Sequence, residues 1–275
     1  MPILPQRGRG RPHTNSPEIR VTVISNDYQL PFVDWSVYAT FKHFLADIKP
    51  DFHFINGDFL DLYPVSKYDK DPEMLDLART EIETANTVLD ELYAASPSTI
   101  TKFVYGNHCE RLTKRMMQDT ELWRYLLPEQ KRPDDIIADL LSLKDRSIDY
   151  VPYRSHFNHY GFIVTHGQAT GLHPAKRELE RYGKSGCSGH VNRQTYYETK
   201  NQHGYSAWWT LGGLTSHKLD FMPINNWTHG IGVLYQVVGS DRFSFYPIEI
   251  VGAKFIFDGK LYTCDGVFKA SKGGS

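Results

Sequence analysis

Within the first 105 residues, three short apolar runs alternate with two amphipathic stretches. Arg20–Ser25 (RVTVIS), Phe52–Asn56 (FHFIN) and Thr101–Tyr105 (TKFVY) are rich in β-branched and aromatic residues, and each is stopped by polar residues or glycine. Between the first two, Trp35, Val37, Phe41, Phe44 and Leu45 recur at near-helical spacing, which predicts a helix from Asp34 to about Ile48. A longer helix is predicted from Pro72 to Ala95. Proline stands at its start, Glu73 and Asp76 lie in its first turn, and Leu75, Leu77, Ile82, Val88 and Leu92 recur along it. Strands joined through helices run parallel, because the helix returns the chain to the starting end of the sheet. The alternation therefore predicts an α/β core.

Beyond residue 145 the pattern changes to short strands separated by turn residues. Phe162–Thr165, Trp208–Leu211, Ile231–Val238, Phe243–Ile250 and Lys254–Phe257 predict a second, mostly antiparallel sheet packed on the first. Glu110 to Leu143 reads as helical in pieces, and the segment 109–145 is expected to form a small helical cap. The chain divides into a disordered arm at 1–18, one domain at 19–265 and a flexible tail at 266–275. The arm carries Arg7, Arg9 and Arg11, whose alternative role is to touch phosphate.

Composition bounds the function. The 275 residues are 40% hydrophobic, enough for a sizeable core. A net charge of -1 leaves no overall basic footprint for coating nucleic acid. Cys109, Cys187 and Cys264 show no CxxC spacing, so neither a disulfide framework nor a zinc ribbon is expected, and a reducing, cytoplasmic setting is. No apolar run is long enough to span a membrane, and no membrane partner is expected.

Five loops share one pattern, a small residue accompanied by Asp, Asn or His. They are Ser25-Asn26-Asp27-Tyr28-Gln29, Gly57-Asp58-Phe59-Leu60-Asp61, Gly106-Asn107-His108-Cys109-Glu110, Thr165-His166-Gly167 and Ser188-Gly189-His190-Val191-Asn192-Arg193. The first four follow predicted strands, and the fifth follows a predicted helix at Ala175–Tyr182. Strand ends are where α/β folds place ligands. Carboxylate, amide and imidazole side chains supply the donors a metal takes. Singly each loop is an ordinary turn; their order and context together point to one shared metal site.

In these blocks the chain resembles the calcineurin-like metallophosphoesterases, whose signature runs Asp-x-His, Gly-Asp-x-x-Asp, Gly-Asn-His-Asp/Glu, His and Gly-His-x-His. The resemblance spans about Val21 to Arg193 and is nearest to phage and bacterial members. It implies a four-layer αββα sandwich of two mixed sheets flanked by helices, and two divalent ions bridged by Asp58. One ion would take Asp58, Asn107, His166 and His190, all present here. The other would take Asp27, Gln29, Asp58 and Asn192, and here the chain departs from the family, which has His in place of both Gln29 and Asn192. Both departures fall on the same ion. That site becomes all oxygen, which suits Mn²⁺ or Mg²⁺ over Zn²⁺ or Fe; for the pair of ions Mn²⁺ is the expectation, with Zn²⁺, Fe, Mg²⁺ or Ni²⁺ as alternatives. It is expected to be the weaker of the two, or empty. The contrary reading makes Gln29 and Asn192 loop residues and leaves a single ion.

The resemblance further implies hydrolysis of a phosphodiester or phosphomonoester by a metal-activated hydroxide, with His108 as general acid. Asp27, Asp61 and Glu110 are the candidates to orient His108. Arg111 and Arg193 flank the loops and are weaker candidates to hold substrate phosphate. The expected partner is a phosphate ester, with nucleotide or DNA among the choices; the setting is a bacterial cell or a phage-infected host, and oligomeric state is left open. Two alternatives stand beside this reading. One is a DNA nuclease resembling the double-strand-break repair branch, for which Arg111, Lys114 and Arg115 would line a local groove. The other is a metal-binding protein of the same fold without catalysis.

Overall fold

The computed structural model describes residues 18–67, 77–118, 121, 133–202, 204–218 and 225–269. Strand β1 (Ile19–Ser25), helix α1 (Trp35–Ile48), β2 (Phe52–Asn56), α2 (Leu77–Ala95) and β3 (Ile100–Val104) follow one another as the periodicity predicts. The first turn expected for α2, at 72–76, lies outside the described residues. Asp34 caps α1 by accepting hydrogen bonds from the backbone N–H groups of Ser36 and Val37. The chain then runs α3 (Cys109–Met117), α4 (Pro133–Leu140), β4 (Asp149–Val151), β5 (Phe157–His159), β6 (Phe162–Thr165), α5 (Pro174–Tyr182) and β7 (Gly186–Ser188). It ends in β8 (Thr195–Asn201), β9 (Gly204–Thr210), β10 (His229–Val237), β11 (Phe243–Ile250), β12 (Lys254–Phe257), β13 (Lys260–Thr263) and β14 (Gly266–Lys269).

The strands form two large mixed sheets and one small one. The first has the order β11-β10-β1-β2-β3-β4 and the second β5-β6-β7-β9-β8; β12, β13 and β14 form the third. Strands β1 to β4 are parallel, as the helical crossovers require. Period-two alternation divides each strand between two cores. Val23, Ile55 and Val233 face the helical side with Phe41, Phe44, Val88 and Leu89. Ile24, Phe54 and Leu234 face the other way and meet Phe162, Val164 and Cys187 between the sheets. Beyond the second sheet, Ile163 and Trp208 pack under Ala175 and Leu179 of α5. Helices, sheet, sheet and helix make the four-layer sandwich. No helix among the described residues is long and apolar enough to cross a membrane.

The second half departs from the sequence reading in three places. Strands β10 and β11 join the first sheet, with β10 antiparallel to β1, rather than the second. The second sheet is parallel at its centre, through β6, β7 and β9, and antiparallel only at its edges. Gly266–Lys269, expected in a loose tail, pairs with β13. Periodicity reports which face of a strand is apolar but not which strand lies beside it, so both assignments of sheet membership rested on chain order alone. Of the expected cap, α3 and α4 are described, whereas 119–120 and 122–132 lie outside the described residues.

Candidate metal centre and its cleft

All five loops emerge at the C-terminal ends of parallel strands: β1, β2 and β3 in one sheet, β6 and β7 in the other. Strand β7, only three residues long, supplies the strand missing from the sequence reading of the fifth loop. The β1–β2 pairing continues into the loops through Asp27 N–H to Gly57 O (3.0 Å) and Gln29 N–H to Asp58 O (2.8 Å). Backbone bonds thus fix Asp27, Gln29 and Asp58 relative to one another. The two sheets are tied at the site by His190 N–H, which donates to Asp27 Oδ2 at 3.0 Å.

The backbone of the site is unusual. Asp27, Gln29, Asp58, His190 and Asn192 all adopt positive φ, between 45° and 72°. Non-glycine residues take this left-handed region at a cost of about 1 kcal/mol or more each, and they cluster where function holds them there. Gly106 adds a steric constraint: a Cβ there would lie 2.0 Å from Asp58 Oδ1. Gly213 does the same on the far side, where a Cβ would lie 2.1 Å from Asn192 Oδ1.

Asp58, His166 and His190 offer metal-binding atoms that all lie within 4.8 Å of one another. His166 Nε2 is 3.2 Å from Asp58 Oδ2 and 3.0 Å from Asn107 Oδ1, and His190 Nδ1 is 2.7 Å from the same Asn107 oxygen. Donors about 2.1 Å from a shared ion stand near 3 Å apart, so this set fits one divalent ion. The Nδ1–H of His166 donates to Asn56 O at 3.1 Å, which leaves Nε2 as its ligating atom. Burial alone would push the His166 imidazole down, yet Asp58 and Asp27 outweigh it and raise the group to about 9. Surroundings that hold a proton so firmly also attract a cation. Burial and the neighbouring His166 keep His190 down at about 4. Burial pushes the Asp58 carboxyl up, but His108 and His166 overcome it and hold it below the usual carboxylate range.

The other half contains Asp27, Gln29 and Asn192, all buried. Asp27 Oδ1 and Asn192 Oδ1 have no hydrogen-bond partner among the described residues, although a buried polar atom without a partner is costly. Two such oxygens beside a shared carboxylate fit an oxygen-preferring ion. Burial raises Asp27 to about 7, against the pull of His166 and with a further push from Asp58. The imidazole half is therefore closed by its own hydrogen bonds, and the amide half, though buried, is left open in its hydrogen bonding.

His108 borders both Asp58 and the cleft. Its Nδ1 is 3.0 Å from Asp61 Oδ1 and its Nε2 is 3.6 Å from Asp58 Oδ2. Of the three carboxylates considered for orienting it, Asp61 occupies that position. Asp27 lies across the floor, and Glu110 pairs with Lys114 at 2.6 Å. Arg111, half-buried at the cleft, is engaged by its neighbours: Nη1 donates to Asp61 O (2.7 Å) and Nη2 to His108 Nε2 (2.7 Å). Arg193 donates to Gly171 O at 2.9 Å and lines the same cleft. Burial pushes the Cys109 thiol up to about 12, so this cysteine is a packed thiol and not a reactive one.

The sequence reading missed Glu81. It is 1% exposed, and its Oε1 accepts from Leu62 N–H at 2.5 Å, bracing the loop that presents Asp61. Burial raises its carboxyl to about 8. The signal was available, because the buried stripe Ala85, Val88, Leu89 and Leu92, continued one turn back along α2, meets an acid where an apolar residue belongs.

No family model matches the sequence, and no curated protein is similar to it in sequence. Solved structures align with much of the chain at low identity. Vacuolar Protein Sorting 29 from Cryptosporidium parvum is 11% identical, with 92% of this chain and 99% of that one covered at a TM-score of 0.47. Vps29 from Chaetomium thermophilum is 12% identical, with 93% and 100% covered at a TM-score of 0.44. The purple acid phosphatase PPD1 from yellow lupin seeds is 11% identical over 85% of this chain and 54% of its own, at a TM-score of 0.40.

Proposed function

We propose that the chain is a metal-dependent phosphoesterase that cleaves phosphodiesters in this cleft. The observation that carries the reading is His108, an imidazole oriented by Asp61 and standing 3.6 Å from the carboxylate at the centre of the ligand cluster. A protein that only held ions would have no use for it. The five-block resemblance to calcineurin-like metallophosphoesterases, nearest to phage and bacterial members, supports the same reading.

Asp58, Asn107, His166 and His190 would hold one divalent ion; Asp27, Gln29 and Asn192, sharing Asp58, would hold a second, for which Mn²⁺ suits the all-oxygen donors. Bound ions supply the charge that clamps a phosphate and acidifies a water. The chain's own residues do the rest. The Asp61 carboxylate, 3.0 Å from Nδ1 of His108, draws that edge of the ring inward by charge, so that Nε2 is left toward the cleft and could pass a proton to the departing alkoxide. Arg111 now donates to that nitrogen. An incoming phosphate offers the guanidinium a charged acceptor instead, freeing Nε2 to carry the proton. A reducing, cytoplasmic setting in a bacterial cell or phage-infected host belongs to the same proposal, supported by three free thiols.

The nuclease alternative draws less support. Its basic cluster is engaged within the protein, Arg111 with Asp61 and His108, Lys114 with Glu110, and Arg115 with Gln118. The test is one assay panel with Mn²⁺, Mg²⁺ and Zn²⁺ against an aryl monoester, an aryl diester, and single- and double-stranded DNA. Mn²⁺-dependent diester cleavage is expected. Silence with every metal and substrate would leave the non-catalytic alternative standing.

A further inference from the structure

We propose that the cleft carries a subsite for a flat aromatic ring, and that this subsite holds the substituent a phosphodiester keeps after cleavage. The proposal rests on the phosphoesterase reading and names its substrate class. The cleft encloses about 1000 Å³, far more than a phosphate needs. Its lining beyond the metal-ligand floor is unequal. Arg111 lies beside His108, and Tyr63 and Ser66 come from one turn, whereas Leu172, Val191 and Trp227, flanked by Arg193 and Asn226, give the apolar surface contributed by three other loops.

These three apolar residues come from separate loops that are bonded into one surface. Thr228 N–H donates to Asn192 O at 2.8 Å, which places Trp227 one residue from a direct link to a ligand residue. Arg193 ties the loop of Val191 to Gly171, next to Leu172. Buried Glu178 holds the base of that loop by accepting from the N–H groups of Gln168 (2.7 Å) and Ala169 (2.6 Å). Trp227 is braced from behind. Its backbone N–H donates to Asn225 Oδ1 (3.3 Å), and Asn225 Nδ2 donates to His217 O (3.0 Å). The His217 ring, itself stacked on His229 at 3.7 Å, meets the indole edge-on at 6.5 Å. A half-buried indole and an exposed leucine line one cleft, and a planar ring would cover the apolar area they present to it.

Sheet order decides which substituent that ring belongs to. Trp227 precedes β10 and His108 follows β3. Between β10 and β3 lie three strand spacings, about 14 Å. On this proposal His108 serves the leaving group from the β3 side, and Trp227, on the β10 side, takes the group that stays.

The test varies only the retained substituent. Thymidine 5′-(4-nitrophenyl phosphate) and ethyl 4-nitrophenyl phosphate share a leaving group; both are assayed with Mn²⁺ in the full chain, in W227F and in W227A. The ratio of kcat/KM should favour the thymidine ester, fall about tenfold in W227A and survive largely in W227F. An unchanged ratio in W227A overturns the subsite, whatever the absolute rates. If neither ester turns over, the phosphoesterase reading fails by itself, and calorimetry with Mn²⁺ decides the subsite. A preference for thymidine monophosphate over inorganic phosphate that W227A removes sustains it, and equal affinities overturn it. Inhibition by oligothymidylate against thymidine monophosphate separates nucleic acid from free nucleotide as the source of the ring; insensitivity of both to W227A overturns the proposal.

Discussion

The two halves of the ligand floor share Asp58 but are built differently. One half gathers two imidazoles and an amide oxygen around that carboxylate within hydrogen-bonding distance of one another. The other sets Asp27 beside two amides and leaves two buried oxygens without partners among the described residues. The tight half satisfies its own polar atoms even without an ion, and the open half does not. Imidazole brings softer nitrogen donors, whereas amide and carboxylate oxygens suit harder ions. The contrast predicts two binding events of different strength and different metal preference.

The largest effect tests whether the shared floor performs chemistry at all. H108A should lower kcat by about 10²- to 10⁴-fold while metal content, measured by atomic absorption, stays at the wild-type level. Unchanged turnover would remove His108 from the mechanism. Next in size is the separation of the halves. In Mn²⁺ titrations by calorimetry, H190A should abolish the tighter event and N192A the weaker one. If both variants erase the same event, the halves are one site. A smaller change should convert one half into the other: Q29H with N192H gives the open half the imidazoles it lacks and should raise Zn²⁺ affinity relative to Mn²⁺. No shift in preference would make Gln29 and Asn192 loop residues and leave a single ion.

The smallest effect concerns the brace behind His108. The Glu81 carboxyl, ordinarily near 4.5, is raised to about 8 in the folded chain, so the fold keeps a proton that the unfolded chain has released. Its stabilising share is present below pH 4.5 and is lost as pH rises through about 8. The side chain in E81Q does not ionise, so Tm should match wild type near pH 5 and exceed it by several degrees near pH 9. A Tm difference that stays constant with pH would show that Glu81 does not titrate in this way.

Much of this was legible in the sequence because it is local. β2, β6, β11 and β12 have the bounds that β-branched runs and stop residues predict, and Asp34 to Ile48 reads directly as a capped helix. The loops were legible because Gly-Asp and Gly-Asn-His follow those runs. What escaped depends on distance in the chain. β7 is Gly-Cys-Ser, too short and too small for alternation, and is a strand only because β6 and β9 pair on either side of it. β10 could not be assigned to β1 from periodicity, because its partner lies some two hundred residues earlier. Asp61 was one of three carboxylates until the fold set it against Nδ1 of His108. Glu81 was passed over, although its place on the apolar stripe of α2 marked it as buried.

The antiparallel pairing of β1 with β10 also sets an order of assembly. Every residue proposed to hold metal has been synthesised by Asn192, yet the open half is not finished there. Leu214 and Thr215 donate backbone N–H groups to Asp27 O, Thr228 donates to Asn192 O, and β10 itself closes the outer side of β1. The chain thus has its complete set of donors some twenty residues before the segment that holds Asp27 and some forty before β10 is complete. Asp58, Asn107 and His166 stand on strands already made by then. The amide half is thus the last part of the floor to gain its full backbone support.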